Sequence, residues 1–115
     1  MIEITVYEFL KSKLLAPVYT EIPNNPPSRM VTIEKTVSSQ ENQINRATLA
    51  IQSYGKSLYE AAELNEIVKE TMLDGLDGLI TLDEIAKVSL NSDYNFTDTT
   101  TKKYRYQAVF EIVHY

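Results

Sequence analysis

The chain contains no cysteine and no tryptophan, a single histidine and three glycines, and its basic residues are outnumbered. Without cysteine there is no disulfide framework, no thiolate metal site and no cysteine nucleophile, and an intracellular site of folding fits. The single histidine, His114, stands one residue from the end with no serine or metal-ligating partner nearby in sequence. Neither a catalytic triad nor a two-histidine zinc motif can therefore be drawn. The few glycines form no phosphate-cradling loop and no dinucleotide fingerprint. No apolar run approaches the roughly 18 residues needed to span a bilayer, and the first residues carry Glu3 where a secretory signal would be basic. The expectation is a soluble, cytosolic protein with no membrane association. Lys and Arg number 11 against 16 Asp and Glu, a formal net charge of −5. The basic residues are scattered along the sequence, so specific nucleic-acid binding is not expected. The acidic ones form no long like-signed block, which argues for ordinary solubility over DNA mimicry.

What is present suffices for one domain, residues 1–115, able to bury roughly 60–70% of the surface its unfolded chain exposes. Thr5 and Glu8 are spaced as a capping box, with Ile4 and Phe9 as its hydrophobic staple. Val6, Leu10 and Leu14 then repeat at helical spacing, and the helix ends before Pro17. Val18 to Ile22 reads as a short strand, closed by the stiff connection Pro23 to Ser28. Arg29 to Val37 alternates, with Val31, Ile33 and Val37 on one side and Thr32, Glu34 and Thr36 on the other. The polar run Ser38 to Gln43 predicts a turn leading into a partner strand, Ile44 to Tyr54. Gly55 breaks that strand, and Ser57 with Glu60 opens a helix from Leu58 to Leu73 whose apolar stripe is Leu58, Ala61, Ala62, Leu64, Ile67, Val68 and Met72. Leu79 to Leu90 supplies another strand and Asn91 to Lys103 a polar loop. Tyr104 to Val113 then alternates with period two, placing Tyr104, Tyr106, Ala108, Phe110 and Ile112 on one side. The order α-β-β-β-α-β-β predicts an α+β fold, an antiparallel or mixed sheet of four to five strands with both helices on one face. The other face, with Thr32, Glu34, Thr48, Gln52, Arg105 and Gln107, is left to solvent or to a neighbour.

The chemistry-bearing motifs are weak. Leu73 to Glu84 echoes a calcium loop in its glycine at the sixth position and glutamate at the twelfth, but Leu73 and Gly75 stand where side-chain oxygens are needed. A pair of Asp-Gly turns is the simpler reading. Asp83 and Glu84 are adjacent and so point apart. No metal, cofactor or catalytic constellation is expected, and the chain reads as a non-enzyme. Asn95-Phe96-Thr97 fits a glycosylation acceptor, which matters only in a secreted protein. The positive signal is the excess of tyrosine, eight in all, with Tyr94, Phe96, Tyr104 and Tyr106 around the last loop. Aromatic and arginine side chains are enriched where protein surfaces meet. Arg29, Tyr94, Phe96, Lys102, Lys103 and Arg105 are accordingly the candidate interface residues.

The pattern resembles the small minor tail and neck proteins of long-tailed bacteriophages, in particular tail terminators and head-to-tail joining proteins. The likeness rests on the initial helix, the Pro23 to Pro27 segment before Met30-Val31-Thr32-Ile33-Glu34, and Ala50 to Gly55 running into the Ala61-Ala62 helix. It continues in Ser92 to Asp98 and Tyr104 to Val109. The resemblance implies a non-enzymatic structural protein of a phage or prophage particle, made in the bacterial host cytoplasm and built into the virion. It would be a homo-oligomeric, hexameric ring that caps the tail tube, meets the head connector and lets DNA pass, while being a monomer in isolation. A ring uses heterologous contacts, and the loops 23–29, 38–43 and 91–103 would order on assembly. The alternative is a small cytosolic acidic module, of the immunity type, that neutralises a protein partner.

Overall fold

In the computed structural model, which describes residues 1–101 and 103–115, the alternating segments become the strands β1 (Val18–Tyr19), β2 (Met30–Glu41), β3 (Ile44–Gly55), β4 (Ile85–Asn95) and β5 (Tyr104–His114). The helical repeats become α1 (Ile2–Lys13) and α2 (Leu58–Leu73), and a 3-10 turn spans Leu79–Thr81. The strands form one sheet in the order β1-β2-β3-β5-β4. It is mixed because β1 runs parallel to β2 while the other pairings are antiparallel. The fold is α+β as expected, with both helices on one face.

Period-two alternation and helical spacing converge on a single core. Val31, Ile33, Leu49, Ile51, Phe110 and Ile112 from the sheet meet Val6 and Leu10 of α1 and Leu64, Val68 and Met72 of α2. Burying side chains of this size contributes roughly 1.5–3 kcal/mol each before the entropy of ordering is subtracted. The sheet packs close to α2 because Ala61 is fully buried. Gly55 permits the turn into that helix, since a Cβ there would lie 2.6 Å from the Ala61 nitrogen. Ser57 Oγ accepts the Glu60 N–H at 3.2 Å, so the predicted cap of α2 is made. Asn65, one of the buried residues of α2, breaks the apolar stripe; its side-chain amide donates to Asp93 of β4 at 3.3 Å. Asp93 also receives Lys69, and this hydrogen bond is the chief reason the Lys69 ammonium is held above its ordinary value. Leu58 and Ile67, expected in the stripe, are exposed instead.

Four local expectations are corrected. The first helix begins at Ile2, and the Thr5 hydroxyl donates to the Met1 carbonyl instead of capping. Burial of Ile2 draws an additional turn into the core, while Ile4 stays exposed and makes no staple. β1 ends at Tyr19 and leaves Ile22 exposed. The hairpin is longer than its polarity suggested. β2 and β3 run 12 residues each, and the turn is Asn42 and Gln43 alone, with φ of 51° and 66°. Ser38 to Glu41 are polar because the distal half of β2 is exposed throughout, and not because the chain turns there. A bulge between Lys35 and Val37 moves Val37 off the face shared by Val31 and Ile33, leaving it 62% exposed. Finally, β4 starts at Ile85 and extends through Asn95, so the first part of the expected last loop, Asn91 to Asn95, is strand.

Candidate functional site

The sheet face away from the helices carries a row of polar side chains set by strand register. Thr32, Gln52, Gln107 and Tyr94 are direct neighbours across β2, β3, β5 and β4. The Thr32 hydroxyl donates to Gln52 Oε1 at 2.7 Å, Gln52 Nε2 donates to Gln107 Oε1 at 2.8 Å, and Gln107 Nε2 donates to the Tyr94 hydroxyl. Each link satisfies the next, so Thr32 and Gln52 are buried without a covering helix. The line of bonds runs from the buried Thr32 to the exposed Tyr94.

Beside this row, toward the end of the sheet, the aromatic residues gather on Arg105. Register places Arg105 opposite Tyr54, and its Nη1 donates to the Tyr54 hydroxyl at 3.3 Å. Its Nε donates to the Phe96 carbonyl at 2.7 Å, and its guanidinium lies 4.4 Å from the centre of the Phe96 ring. Tyr94 meets Phe96 edge to face at 5.7 Å. The guanidinium is thus held by two hydrogen bonds and lies over a ring. No carboxylate among the described residues forms an ion pair with it. A cavity of about 260 Å³ beside it is lined by Thr20 to Ile22, Thr32 to Glu34, Gln52, Tyr54, Phe96 and Arg105, so the carboxylates of Glu21 and Glu34 share it with the guanidinium.

The tip between β4 and β5 is a small ordered turn. Asp98 Oδ1 accepts the backbone N–H of Thr100 at 3.0 Å and of Thr101 at 3.4 Å, while Asp98 and Lys103 form a β-bridge. The Thr100 bond first, then those from Thr101, hold the Asp98 carboxyl below its ordinary value. Lys103 and Lys56 line a second recess together with Tyr54 and Tyr104.

Of the residues singled out in the sequence, Tyr94, Phe96 and Arg105 are brought into one cluster, and Tyr94 does so from a strand. Lys103 stands next to it. Arg29, half-buried between Ser28 and Met30, makes no hydrogen bond or ion pair to the cluster among the described residues, and Lys102 lies outside the described residues. Tyr54 and Lys56 were not singled out; the period-two pattern that put Gln52 on the open face puts Tyr54 there as well, so the signal was present. His114 sits at the opposite end of β5, paired with Asn45 and Ile85. In the segment echoing a calcium loop, Asp74 caps the Leu76 N–H at 2.9 Å and Asp77 pairs with Lys13 at 3.0 Å. No group of three or more His, Cys, Asp or Glu side chains among the described residues is placed to hold a metal, and no described helix is long and apolar enough to cross a membrane. In comparison with known proteins, no family model and no curated protein matches the chain.

Proposed function

We propose that the chain is a non-enzymatic structural protein of a long-tailed phage or prophage, a minor tail or neck protein that caps the tail tube and joins it to the head as part of a hexameric ring. The observation that carries this reading is the cluster of Tyr94, Phe96 and Arg105 on an open sheet face, with Phe96 41% and Tyr94 42% exposed. Partly exposed aromatics around a pinned arginine are the side chains that anchor protein interfaces. Ring formation needs two different patches on one subunit, and the sheet face and the helix layer lie on opposite sides of this one. The projecting β2–β3 hairpin adds reach, in a molecule extending 44 Å along its longest axis and about 25 Å across. An acidic chain also suits a ring through which DNA slides without sticking. The protein would be made in the host cytoplasm and end in the virion.

Infected-cell lysates lacking the protein are expected to contain tails of abnormal length, or finished tails and heads that fail to join, when examined by electron microscopy. Normal infectious particles in its absence would refute the proposal. A second reading, an acidic module that neutralises a protein partner, is favoured by one observation: Glu63, Glu66 and Glu70 are exposed along the outer side of α2 beside Tyr59, itself 77% exposed. Recovery of one stoichiometric host protein on the tagged chain, in cells without phage structural proteins, supports that reading over the ring.

A further inference from the structure

Three segments meet at the end of the sheet where β2 and β5 begin and β3 leaves for α2. They are the connection Pro26 to Ser28, the turn at Gly55 and Lys56, and Lys103 with Tyr104, and together they enclose a cavity of about 260 Å³. Register brings them together, because Met30 pairs with Tyr54 and Gly55 with Tyr104. Met30 and Tyr54, on the sheet face without helices, are nevertheless buried and form the inner side of the cavity. The rest of the lining is proline and tyrosine, and its charged residues are Lys56 and Lys103. Two acidic residues adjoin it. The Glu60 Cβ lies 2.8 Å from where a Gly55 Cβ would stand, and Asp98 bridges Lys103 through the backbone. Neither forms an ion pair with Lys56 or Lys103 among the described residues, and the Asp98 carboxylate is taken by the Thr100 and Thr101 amides. Glu21 and Glu34 belong to the neighbouring Arg105 cavity. The Tyr54 hydroxyl accepts from Arg105 at 3.3 Å. Its own proton is therefore left for another acceptor, on an oxygen polarised by the guanidinium.

We propose that this cavity binds a small phosphate monoester with an aromatic body, its phosphate held between Lys56 and Lys103 and its ring laid against Tyr54, Tyr104 and the two prolines. The charge of the ligand follows from the lining. Two ammonium groups with no carboxylate among the lining residues match a dianion, and a phosphate monoester carries about −1.5 to −2 near neutral pH. Lysine meets phosphate as a point charge, whereas a planar carboxylate is better matched by the fork of an arginine. Ser28 and Tyr54 add hydroxyl donors. The body of the ligand follows from the remaining surface. Inorganic phosphate would leave the proline, methionine and tyrosine surfaces against water, so binding gains from an apolar group that covers them. A ring does this best, because it also stacks on tyrosine. Size excludes anything much larger: the volume lies just below the roughly 300–1,000 Å³ usual for small-molecule sites, room for one ring and its phosphate. A long polyanion is opposed by the net charge of −5. For a small anion, charges beyond a Debye length of roughly 8–10 Å are screened and the two lysines prevail. The proposal goes beyond the ring reading and does not depend on it.

A titration of the intact chain with phenyl phosphate, followed by amide resonances, tests this directly. Gly55, Lys56, Lys103 and Tyr104 should move together and saturate with a dissociation constant of about a millimolar, the scale for a ligand this small. Phenol, benzoate and inorganic phosphate each lack one part of the ligand, and each should bind at least about tenfold more weakly. Lys56 and Lys103 are exposed, so both can be changed without touching the core. Lys56→Gln with Lys103→Gln should weaken phenyl phosphate by about tenfold or more, whereas Lys56→Arg with Lys103→Arg should stay within about threefold. The arginine pair separates loss of charge from a disturbed turn. Equal binding of benzoate or inorganic phosphate would overturn the proposal. So would shifts that never saturate and spread over the other lysines, or a glutamine pair that binds as the parent does. Tighter binding of a single-stranded oligonucleotide at the same four residues would replace the small ligand with a polymer and refute it as well. None of these outcomes bears on the ring, which is judged on tails and heads.

Discussion

Phe96 and Asp98, two residues apart, have different kinds of work. Phe96 is stacked by Arg105 on one side and partly open on the other, so truncation removes an interface anchor at small cost to the fold. Phe96→Ala is expected to lower stability by only about 1 kcal/mol, the scale of an exposed cation–π contact with modest burial. It should weaken assembly by about thirtyfold or more, the scale of an interface hot spot. Thermal unfolding read beside assembly on tails checks both, and an unchanged assembly would remove Phe96 from the site. Asp98 instead organises the turn that carries Thr100 and Thr101. Its carboxyl is held below the ordinary value near 3.8 by those backbone and side-chain donors. A depressed folded-state value means that the ordering is present above the ordinary carboxylate value and is lost as pH falls through the lower one. The Thr100 and Thr101 amide resonances are therefore expected to shift in an acid titration with a midpoint below 3.8; a midpoint at or above it would show that the bonds are not made in solution.

At the scale of elements, the hairpin is where composition and structure disagreed most. Ser, Gln, Glu and Asn in succession resemble a loop, yet both strands continue to a turn of Asn42 and Gln43. Asn42 tolerates a positive φ, whereas Gln43, at 66°, is held in a region that side chains with a Cβ disfavour. An Asn-Gly pair suits a two-residue turn better. Gln43→Gly is expected to tighten the arm, slowing amide exchange at Val37 to Glu41 about twofold to threefold, the equivalent of roughly 0.5 kcal/mol after the added freedom of the unfolded glycine is subtracted. Faster exchange would mean that the turn has another conformation in solution. α2 shows the contrary case. Its cap at Ser57, its length and most of its buried stripe were legible because amphipathic spacing and capping chemistry are local properties. Asn65 was not, because its partner Asp93 comes from a strand distant in sequence.

Across the whole molecule, the α+β class, the number of helices, the order of elements and the alternation that builds the core are written in the sequence, since each depends on periodicity within a short window. The same holds for Tyr94, Phe96 and Arg105 as residues of interest, picked out by type and proximity along the chain. What only the tertiary structure decided is how they meet. Register across β2, β3, β5 and β4 turned separate polar residues into the Thr32–Gln52–Gln107–Tyr94 row. The antiparallel pairing of β3 with β5 set Tyr54 against Arg105. The turn from β3 into α2 placed Lys56 beside Lys103. A chain read along its length shows scattered charge, because the sum over sequence carries no direction. Folding gives every side chain a face, and only then do Lys56 and Lys103 share a recess and Arg105 meet Phe96.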